Sequence, residues 1–456
     1  MKENVTVVIL AAGLGTRMKS QKAKVLHEAG GDTLLNQVIR AALHVAQPEQ
    51  IVAVVGHQAA AVRDSVKTAG VRFAEQLEQK GTGHAVLCAR DSVATHEGEV
   101  IVLNGDGPLL NPSTLRALLD LQRSRNAGAA IVTTELRDPT GYGRILRDDS
   151  GCVAGIVEEK AASPEQRKIR EVNPGLYCFD AALLWKHIGE ITPNNPAREY
   201  YLTDMVEILG RYRHNIVPLL VEDETELLGI NTRIELAIAD KILRARKANH
   251  LMLSGVTIES PETVIIDPDV EIGQDSVIEP NVHLRGRTRI GSNCRIGTGS
   301  VLRDCDIADN VTLLPYVVAE ASSIGVGAFV GPFARMRLNA QAEEGAHIGN
   351  FVELKKTRLG RGSKANHLAY LGDASIGPNV NIGAGTITCN YDGRKKHLTE
   401  IAKNVFVGSN STLVAPLKID EGAYVAAGSV VTNDVEADSL AIGRSRQTDK
   451  PGWAKR

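Results

Sequence analysis

Two groups of residues in this 456-residue chain have types and spacings that could do chemistry. The first lies near the N-terminus, where Leu10-Ala11-Ala12-Gly13-Leu14-Gly15-Thr16-Arg17 continues from an apolar run at residues 5–10. Small residues after a first strand let the backbone approach a phosphate closely. Arg17 and Lys24 add two cations within the same segment. Further on, Asn104-Gly105-Asp106-Gly107-Pro108 follows a second apolar run at 100–103. An Asp at the carboxyl end of a central strand, among small residues, is placed to hold a divalent cation on phosphate oxygens. Each feature has a plainer reading: a tight strand-to-helix turn, and an Asp closing a turn before Pro108. The loop fits neither GxGxxG nor GxxxxGK[ST], so the combination, not the loop, points to a bound phosphate.

The second group centres on His367. A lone histidine is usually a surface or satisfied residue, and most of the twelve here must be. His367 differs in its company, because Arg337 and Lys355 recur at an interval that could stack them beside one cleft. That interval follows from a repeat. Ile272, Ile278, Leu284, Ile290, Ile296 and Leu302 step by six. After a short slip, Val318, Ile324, Val330, Met336, Ala342, Ile348 and Leu354 do the same, and then Val407, Leu413, Ile419, Val425 and Val431. Small residues often follow the aliphatic one (Gly273, Gly291, Gly297), and a small or β-branched residue recurs four positions after it (Ser276, Val282, Thr288, Ser300). A six-residue step suits neither a helix nor an alternating strand. It suits short straight sides joined by turns, three sides to a coil of about eighteen residues, with coils stacked roughly 4.8 Å apart as parallel strands. Residues one coil apart then lie side by side.

The hexad register breaks around 362–373 and again around 388–403. The second break, with Cys389-Asn390-Tyr391-Asp392-Gly393-Arg394-Lys395-Lys396-His397, is polar, charged and too long for one side, so it should leave the column as a loop. Insertions of this kind form the binding face in solenoid enzymes. Cys389 is a conceivable nucleophile, but no basic residue stands beside it in sequence.

The first half alternates strands (5–10, 51–56, 100–103) with helices (34–45, 113–125), the pattern of a doubly wound, Rossmann-like α/β domain that binds ligands at the strands' carboxyl ends. Ile234, Ile238 and Ile242 step by four opposite Lys241, Arg244, Arg246 and Lys247, which predicts an amphipathic linking helix over 232–252 ended near Gly255. The expected domains are 1–231, a helical linker at 232–253, and 254–456.

Composition agrees with this plan. Hydrophobic residues make up 43% of the chain, enough for sizeable cores, while aromatics are only 4%. A column filled with Ile, Val and Leu has little room for rings. The net charge of −2 provides no global field toward nucleic acid or membrane. Six cysteines without CxxC spacing read as reduced thiols of a cytoplasmic protein. Neither a signal peptide nor an apolar run of bilayer length is expected.

Leu10 to Met18, Lys24-Val25-Leu26, Gly81-Thr82-Gly83-His84-Ala85, Gly105-Asp106, Gly141-Tyr142-Gly143-Arg144-Ile145 and Gly155-Ile156-Val157-Glu158 together resemble the sugar-phosphate nucleotidyltransferases. Glu199-Tyr200-Tyr201-Leu202-Thr203-Asp204 and Gly229-Ile230-Asn231 narrow the resemblance to the bacterial bifunctional N-acetylglucosamine-1-phosphate uridyltransferase and glucosamine-1-phosphate acetyltransferase family. It covers essentially the whole chain, and it implies a left-handed parallel β-helix of hexapeptide repeats in the second half.

The resemblance implies that Leu10, Ala11, Ala12 and Gly13 hold a uridine nucleotide. Arg17 and Lys24 would neutralise its phosphates, and Gln76, Gly81 and Thr82 would read the uracil edge. Asn104, Gly105 and Asp106 would line the site, with Asp106 and Asn231 holding Mg²⁺. Gly143, Glu158 and Asn173, joined by Thr203, would contact the sugar. In the second half, His367 would be the general base and Arg337 and Lys355 would bind substrate phosphate. Tyr370, Asn381 and Asn390 would contact the aminosugar. Ala384, Asn390, Tyr391, Ser409, Ala427 and Arg444 would lie along acetyl-CoA, and Glu353 would help orient the base or the amine. The residue types suit the chemistry: a phosphate dianion attacking UTP needs positioning and charge, not a base, whereas an amine attacking a thioester must shed a proton, which neutral imidazole can take. The implied substrates are glucosamine-1-phosphate, acetyl-CoA, N-acetylglucosamine-1-phosphate and UTP, and the implied assembly is a homotrimer through the β-helix.

Four positions depart from the family pattern: Leu14 where a basic residue is common, Asn104 where Tyr is common, Gly107 where an aliphatic is common, and Pro174 in place of Thr. Two competing readings are a nucleotidyltransferase for another sugar with an inert solenoid, and a scaffold that binds nucleotide sugar without turnover. The intact His367, Arg337, Lys355 and Asn390-Tyr391 set argues against the first. Lys24, Asp106 and Asn231 argue against the second.

Overall fold

A computed structural model describes residues 4–455. The chain divides into two compact units, Met1–Leu243 and Arg244–Arg456. In the first, the apolar runs become the centre of a ten-stranded sheet. Its strands are β1 (Val5–Ala11), β2 (Ile51–Val55), β3 (Arg72–Glu75), β4 (Glu99–Asn104), β5 (Ala129–Glu135), β6 (Gly143–Arg147), β7 (Val153–Val157), β8 (Glu171–Asn173), β9 (Tyr177–Asp180) and β10 (Ile216–Leu220). They run in the order β3-β2-β1-β4-β9-β5-β8-β6-β7, with β10 beside β5. Strands β1 to β4 pair in parallel, and β9 is the first antiparallel strand. The continuous apolar sequences of β1 and β2 are buried on both faces, as central parallel strands must be. Two apolar clusters cover the two faces. The expected helices lie at Leu34–Ala42, opened by the Thr33 side chain accepting from Asn36 N, and at Pro112–Ser124, opened by Asn111 with Pro at the first position.

The second unit is a left-handed parallel β-helix of three long sheets, with eleven, ten and nine short strands. Each strand pairs only with those one coil before and after it, for example Ile278 with Ile296 and Ile296 with Leu313. The aliphatic hexad residues stack inward and are buried. The recurring small residues are buried too, and their hydroxyls bond backbone carbonyls inside the column, as Ser276 does to Gly291 O at 2.8 Å. Cys305 takes one of these inner positions, where burial pushes its thiol up to about 11. All six cysteines are free thiols.

Three expectations need correction. Val318 is not an inward residue: it is 45% exposed, and Ala319 fills the core. Several coils here close in seventeen residues, as from Ile290 to Ile307 and Leu302 to Ala319, so the six-residue step lags by one. The same shortening accounts for 362–373, where the ladder continues through Lys364–His367 and Tyr370–Gly372 without a break. The linking helix, Arg233–Leu253, ends at Gly255 as expected (φ +95°), but Ile234 and Ile238 face solvent. Leu236, Ala239 and Leu243 do the packing in the first unit, and Ala248 and Leu251 join the column's core in the second. Part of the basic cluster ties the helix's C-terminal half to the first coil of the column, since Lys247 donates to Pro268 O and Val270 O at 3.0 and 2.7 Å. Among the described residues no helix is long and apolar enough to cross a membrane.

The loop at 390–398 does leave the column. Ile376 pairs with Ile401, so the coil around it closes only after that detour. Asp392 organises the loop, accepting from Arg394 N and Lys395 N at 2.8 Å and pairing with His397 Nε2 at 2.6 Å. Those donors hold its carboxyl far below the usual range.

Candidate active sites

At the carboxyl ends of β1 and β4 a cleft of about 710 Å³ opens. Leu10, Ala11, Ala12 and Gly13 form one wall, with Arg17 and Lys24 beyond them. Gly105 N donates to Leu10 O at 2.9 Å and ties the two strand ends together. Gly15 has φ +62°, and a Cβ there would lie 2.6 Å from Lys24 Cβ, so only glycine lets that lysine in. Lys24 is in direct contact with the Asp106 carboxylate and donates to Asn231 Oδ1 at 2.9 Å. Arg17 donates to the same oxygen at 2.8 Å. Two hard oxygens from distant parts of the chain thus converge on one cation position, a donor set that suits Mg²⁺ completed by phosphate and water.

Asn231 is set by a device the sequence reading missed. Thr232 and Glu235 form a capping box: Thr232 Oγ1 accepts from Glu235 N at 3.2 Å, and Glu235 Oε2 accepts from Thr232 N at 2.7 Å and Asn231 N at 2.6 Å. The signal was present as Thr-x-x-Glu before an apolar run. Gln76 and Thr82 also line the cleft, but Gln76 Nε2 is engaged by Gly81 O at 3.0 Å and Thr82 Oγ1 by Leu202 N.

Asn104 and Pro174, two of the departures from the family pattern, meet here: Asn104 Nδ2 donates to Pro174 O at 3.1 Å. Gly107 opens onto free space, a Cβ there meeting nothing closer than 3.7 Å. Glu158 lines the cleft, while Gly143 and Asn173 are buried behind its surface, with Asn173 Nδ2 donating to Tyr177 OH at 2.6 Å. Burial, reinforced by Asp204 and Glu199, lifts the Glu158 carboxyl above its usual value even though Thr203 donates to it. Tyr142, Glu199 and Tyr201 complete the wall. They sat within the quoted motifs without an assigned role.

On the column, a second set gathers. Asn350, His367, Ala384, Ser409 and Ala427 occupy the same corner of successive coils, each two residues beyond an inward residue of one sheet. The corner is stitched by Leu368 N to Asn350 O, Gly385 N to His367 O, Asn410 N to Ala384 O and Gly428 N to Ser409 O. Arg444 continues the line, donating to Ala427 O. Asn381 stands on the adjoining outer face, and Tyr391, on the loop, is exposed.

Across that corner, Glu353 pairs in register with Tyr370, and Arg337 with Lys355. Arg337 Nε donates to Glu353 at 2.6 Å. Tyr370's hydroxyl lies over Gly372, where a Cβ would come within 2.5 Å of it. Lys355 is 3% exposed and donates to Asp373 at 2.5 Å, and Asn390 donates to the same carboxylate oxygen. Burial opposes the charge on both partners. The pair prevails, raising the Lys355 ammonium and lowering the Asp373 carboxyl. Lys396 on the loop faces Lys355 and is pushed below its usual value by that like charge. His367 is exposed, not buried within the column, and Asp373 and Lys396 are members that the sequence reading left unassigned.

Comparison with known proteins agrees in both halves. A model described as a MobA-like NTP transferase domain matches residues 7–172. Models described as the GMPPB C-terminal domain and the hexapeptide repeat of succinyl-transferase match 260–333 and 399–433. Among curated proteins, the "Bifunctional protein GlmU" of Solibacter usitatus is 56% identical over 100% of this chain and 98% of its own. Those of Koribacter versatilis and of Anaeromyxobacter sp. (strain Fw109-5) are 49% and 52% identical, over 98% and 99% of this chain and 96% and 93% of theirs. With full-length identity at this level, a nucleotidyltransferase cleft and a hexapeptide column in one chain, this protein belongs to the bifunctional GlmU family.

Proposed function

We propose that the chain makes UDP-N-acetylglucosamine in two steps. The column transfers acetyl from acetyl-CoA to glucosamine-1-phosphate. The cleft then transfers uridylyl from UTP to N-acetylglucosamine-1-phosphate and releases pyrophosphate. The observation that carries this reading is the presence of two complete polar constellations, each confined to one unit.

In the cleft, the Leu10–Gly13 backbone seats the nucleotide, with Gln76, Gly81 and Thr82 at its base. Arg17 and Lys24 meet its phosphates, while Asn104, Gly143, Glu158, Asn173 and Thr203 position the sugar. Asp106 and Asn231 would hold Mg²⁺, which when bound supplies positive charge to the phosphoryl oxygens. On the column, Arg337 and Lys355 neutralise the sugar phosphate, Tyr370, Asn381 and Asn390 hold the sugar, and His367 takes the proton of the amine. Ala384, Tyr391, Ser409, Ala427 and Arg444 line the path of the coenzyme. The functional division runs at 1–231, 232–253 and 254–456.

A homotrimer through the β-helix is the proposed assembly. Tyr316, Phe333 and Phe351, each in the left-handed region, stack outside the column with centroids 5.1 and 5.4 Å apart and remain exposed, the kind of apolar ridge that marks a protein contact. The proposed product suits a cytoplasmic enzyme that feeds cell-wall peptidoglycan and lipopolysaccharide precursors and has no nucleic-acid or membrane partner.

The test supplies glucosamine-1-phosphate, acetyl-CoA and UTP together and follows product masses. The expected order is N-acetylglucosamine-1-phosphate, then UDP-N-acetylglucosamine. His367→Ala should stop the first step and leave the second intact on supplied N-acetylglucosamine-1-phosphate; loss of both would contradict two independent sites.

A further inference from the structure

We infer that Asn350 is the positioning residue that fixes the tautomer of His367, holding the ring proton on Nδ1 and leaving Nε2 as the acceptor. The inference rests on the reading of His367 as the base of acetyl transfer. Asn350 and His367 are register partners on adjacent coils, and Asn350 Oδ1 lies 2.7 Å from His367 Nδ1. Their strands, His347–Asn350 and Lys364–His367, each have four residues, whereas the other described strands of the column have two or three. Backbone pairing therefore runs right up to the corner. Leu368 N to Asn350 O, 3.0 Å, locks it from below, and Gly385 N to His367 O, 3.2 Å, from above. The approach is close enough that a Cβ on Gly349 would lie 1.9 Å from Asn366 O. The imidazole and the amide are thus set against each other by backbone, not by chance contact of two mobile side chains.

The chemistry requires such a setting. A neutral imidazole carries one proton on two nitrogens, and an oxygen acceptor at Nδ1 keeps it there. Nε2 is then a lone pair facing outward. As the amine nitrogen forms its bond to the acyl carbon and the C–S bond breaks, Nε2 takes the amine proton and passes it to the departing thiolate. An amide oxygen achieves this without a charge, whereas a carboxylate at the same position would favour the imidazolium and withdraw the base at neutral pH. Of the titratable groups on the surrounding strands, Glu353 is held by Arg337 Nε, His347 sits edge-on to Phe329, and Lys364 and Tyr370 flank the corner. Glu353, which the resemblance implies helps to orient the base or the amine, accepts from Arg337 through Oε1.

The experiment uses the full-length chain with ¹⁵N-labelled histidine and long-range ¹H–¹⁵N correlation, the His367 signals being assigned by their loss in His367→Gln. The expected neutral form carries hydrogen on Nδ1. An Nε2–H form, as would follow if the Asn350 amide donated instead, overturns the inference without any variant. Asn350→Leu should lower kcat for acetyl transfer on the order of tenfold to a hundredfold, less than the whole contribution of a general base, and should give a mixture of tautomers. Asn350→Asp should keep the Nδ1–H form and move the acidic limb of the kcat/KM profile up by about one pH unit or more, with the rate restored above it. A profile superimposable on the unsubstituted enzyme's would overturn the inference. Retained acetyl transfer in His367→Ala sinks instead the assignment of the base, a result separate from the tautomer measurement.

Discussion

The two sites are assembled in opposite ways. In the cleft, Lys24, Asp106 and Asn231 come from far apart in the chain and meet because three loops end at the same edge of a sheet. On the column, Asn350, His367, Ala384, Ser409 and Ala427 come from one position repeated coil after coil. The first arrangement depends on particular turns and caps, and the second on register alone. Both place a lysine against a carboxylate and an asparagine: Lys24 with Asp106 and Asn231, and Lys355 with Asp373 and Asn390. The cleft's lysine is partly open to solvent, and the column's is nearly buried, at the wall of a cavity it shares with Asp373 and Lys396.

That contrast can be broken most severely at Asp106. Asp106→Ala should remove Mg²⁺-dependent uridylyl transfer by several orders of magnitude and leave acetyl transfer untouched; retained uridylylation in a coupled pyrophosphate assay would remove Asp106 from the metal site. Next comes the core beneath the column's site. Leu354→Ala should cost about 2–5 kcal/mol of the column's stability, visible as a separate earlier transition in calorimetry, with uridylyl transfer spared.

Asp373→Asn leaves Lys355 without its partner. Because Asp373 titrates below its usual value in the fold, the stability it contributes is present above the unfolded carboxyl range and is lost as pH falls through the lowered value. The substitution should weaken the column at neutral pH and flatten the acid end of its stability profile, measured by thermal melts from pH 7 downward. An unchanged acid slope would contradict the pairing. Glu158 works in the reverse sense: its raised carboxyl destabilises the fold as pH rises through that value. Glu158→Gln should therefore raise the melting temperature at neutral pH while increasing KM for the sugar phosphate. The smallest effect is expected at the corrected register position, where Val318→Thr should stay within about ±0.5 kcal/mol; a large loss would return Val318 to the core.

Much of this was legible in sequence because it is carried by period or by residue type. The hexads gave the column, the apolar runs gave β1, β2 and β4, and the polar stretch at 390–398 gave the loop. Ile234 and Ile238 misled because three isoleucines stepping by four look like a buried face, yet alanine at 239 and leucines at 236 and 243 make closer packing for a helix against its neighbours. Val318 misled because a coil one residue short preserves the fold but shifts the count. Asn350 gave no signal at all, since an asparagine one coil below a histidine becomes its partner only after the coils are stacked. Glu235 did give one, the capping-box spacing, and its consequence for Asn231 was not drawn.

The detour between Ile376 and Ile401 leaves the pairing above and below it intact, Ile382 still meeting Val407 and Ile401 still meeting Ile419. A stack of this kind can therefore acquire new length at a vertex without disturbing its storeys, since the rung on either side closes over the gap. Lys396 and Asn390 show what such added length can deliver: groups brought back over a flat wall that three straight sides could not present. Diversification of ligand choice in such scaffolds should concentrate at these vertices, with the walls kept nearly constant.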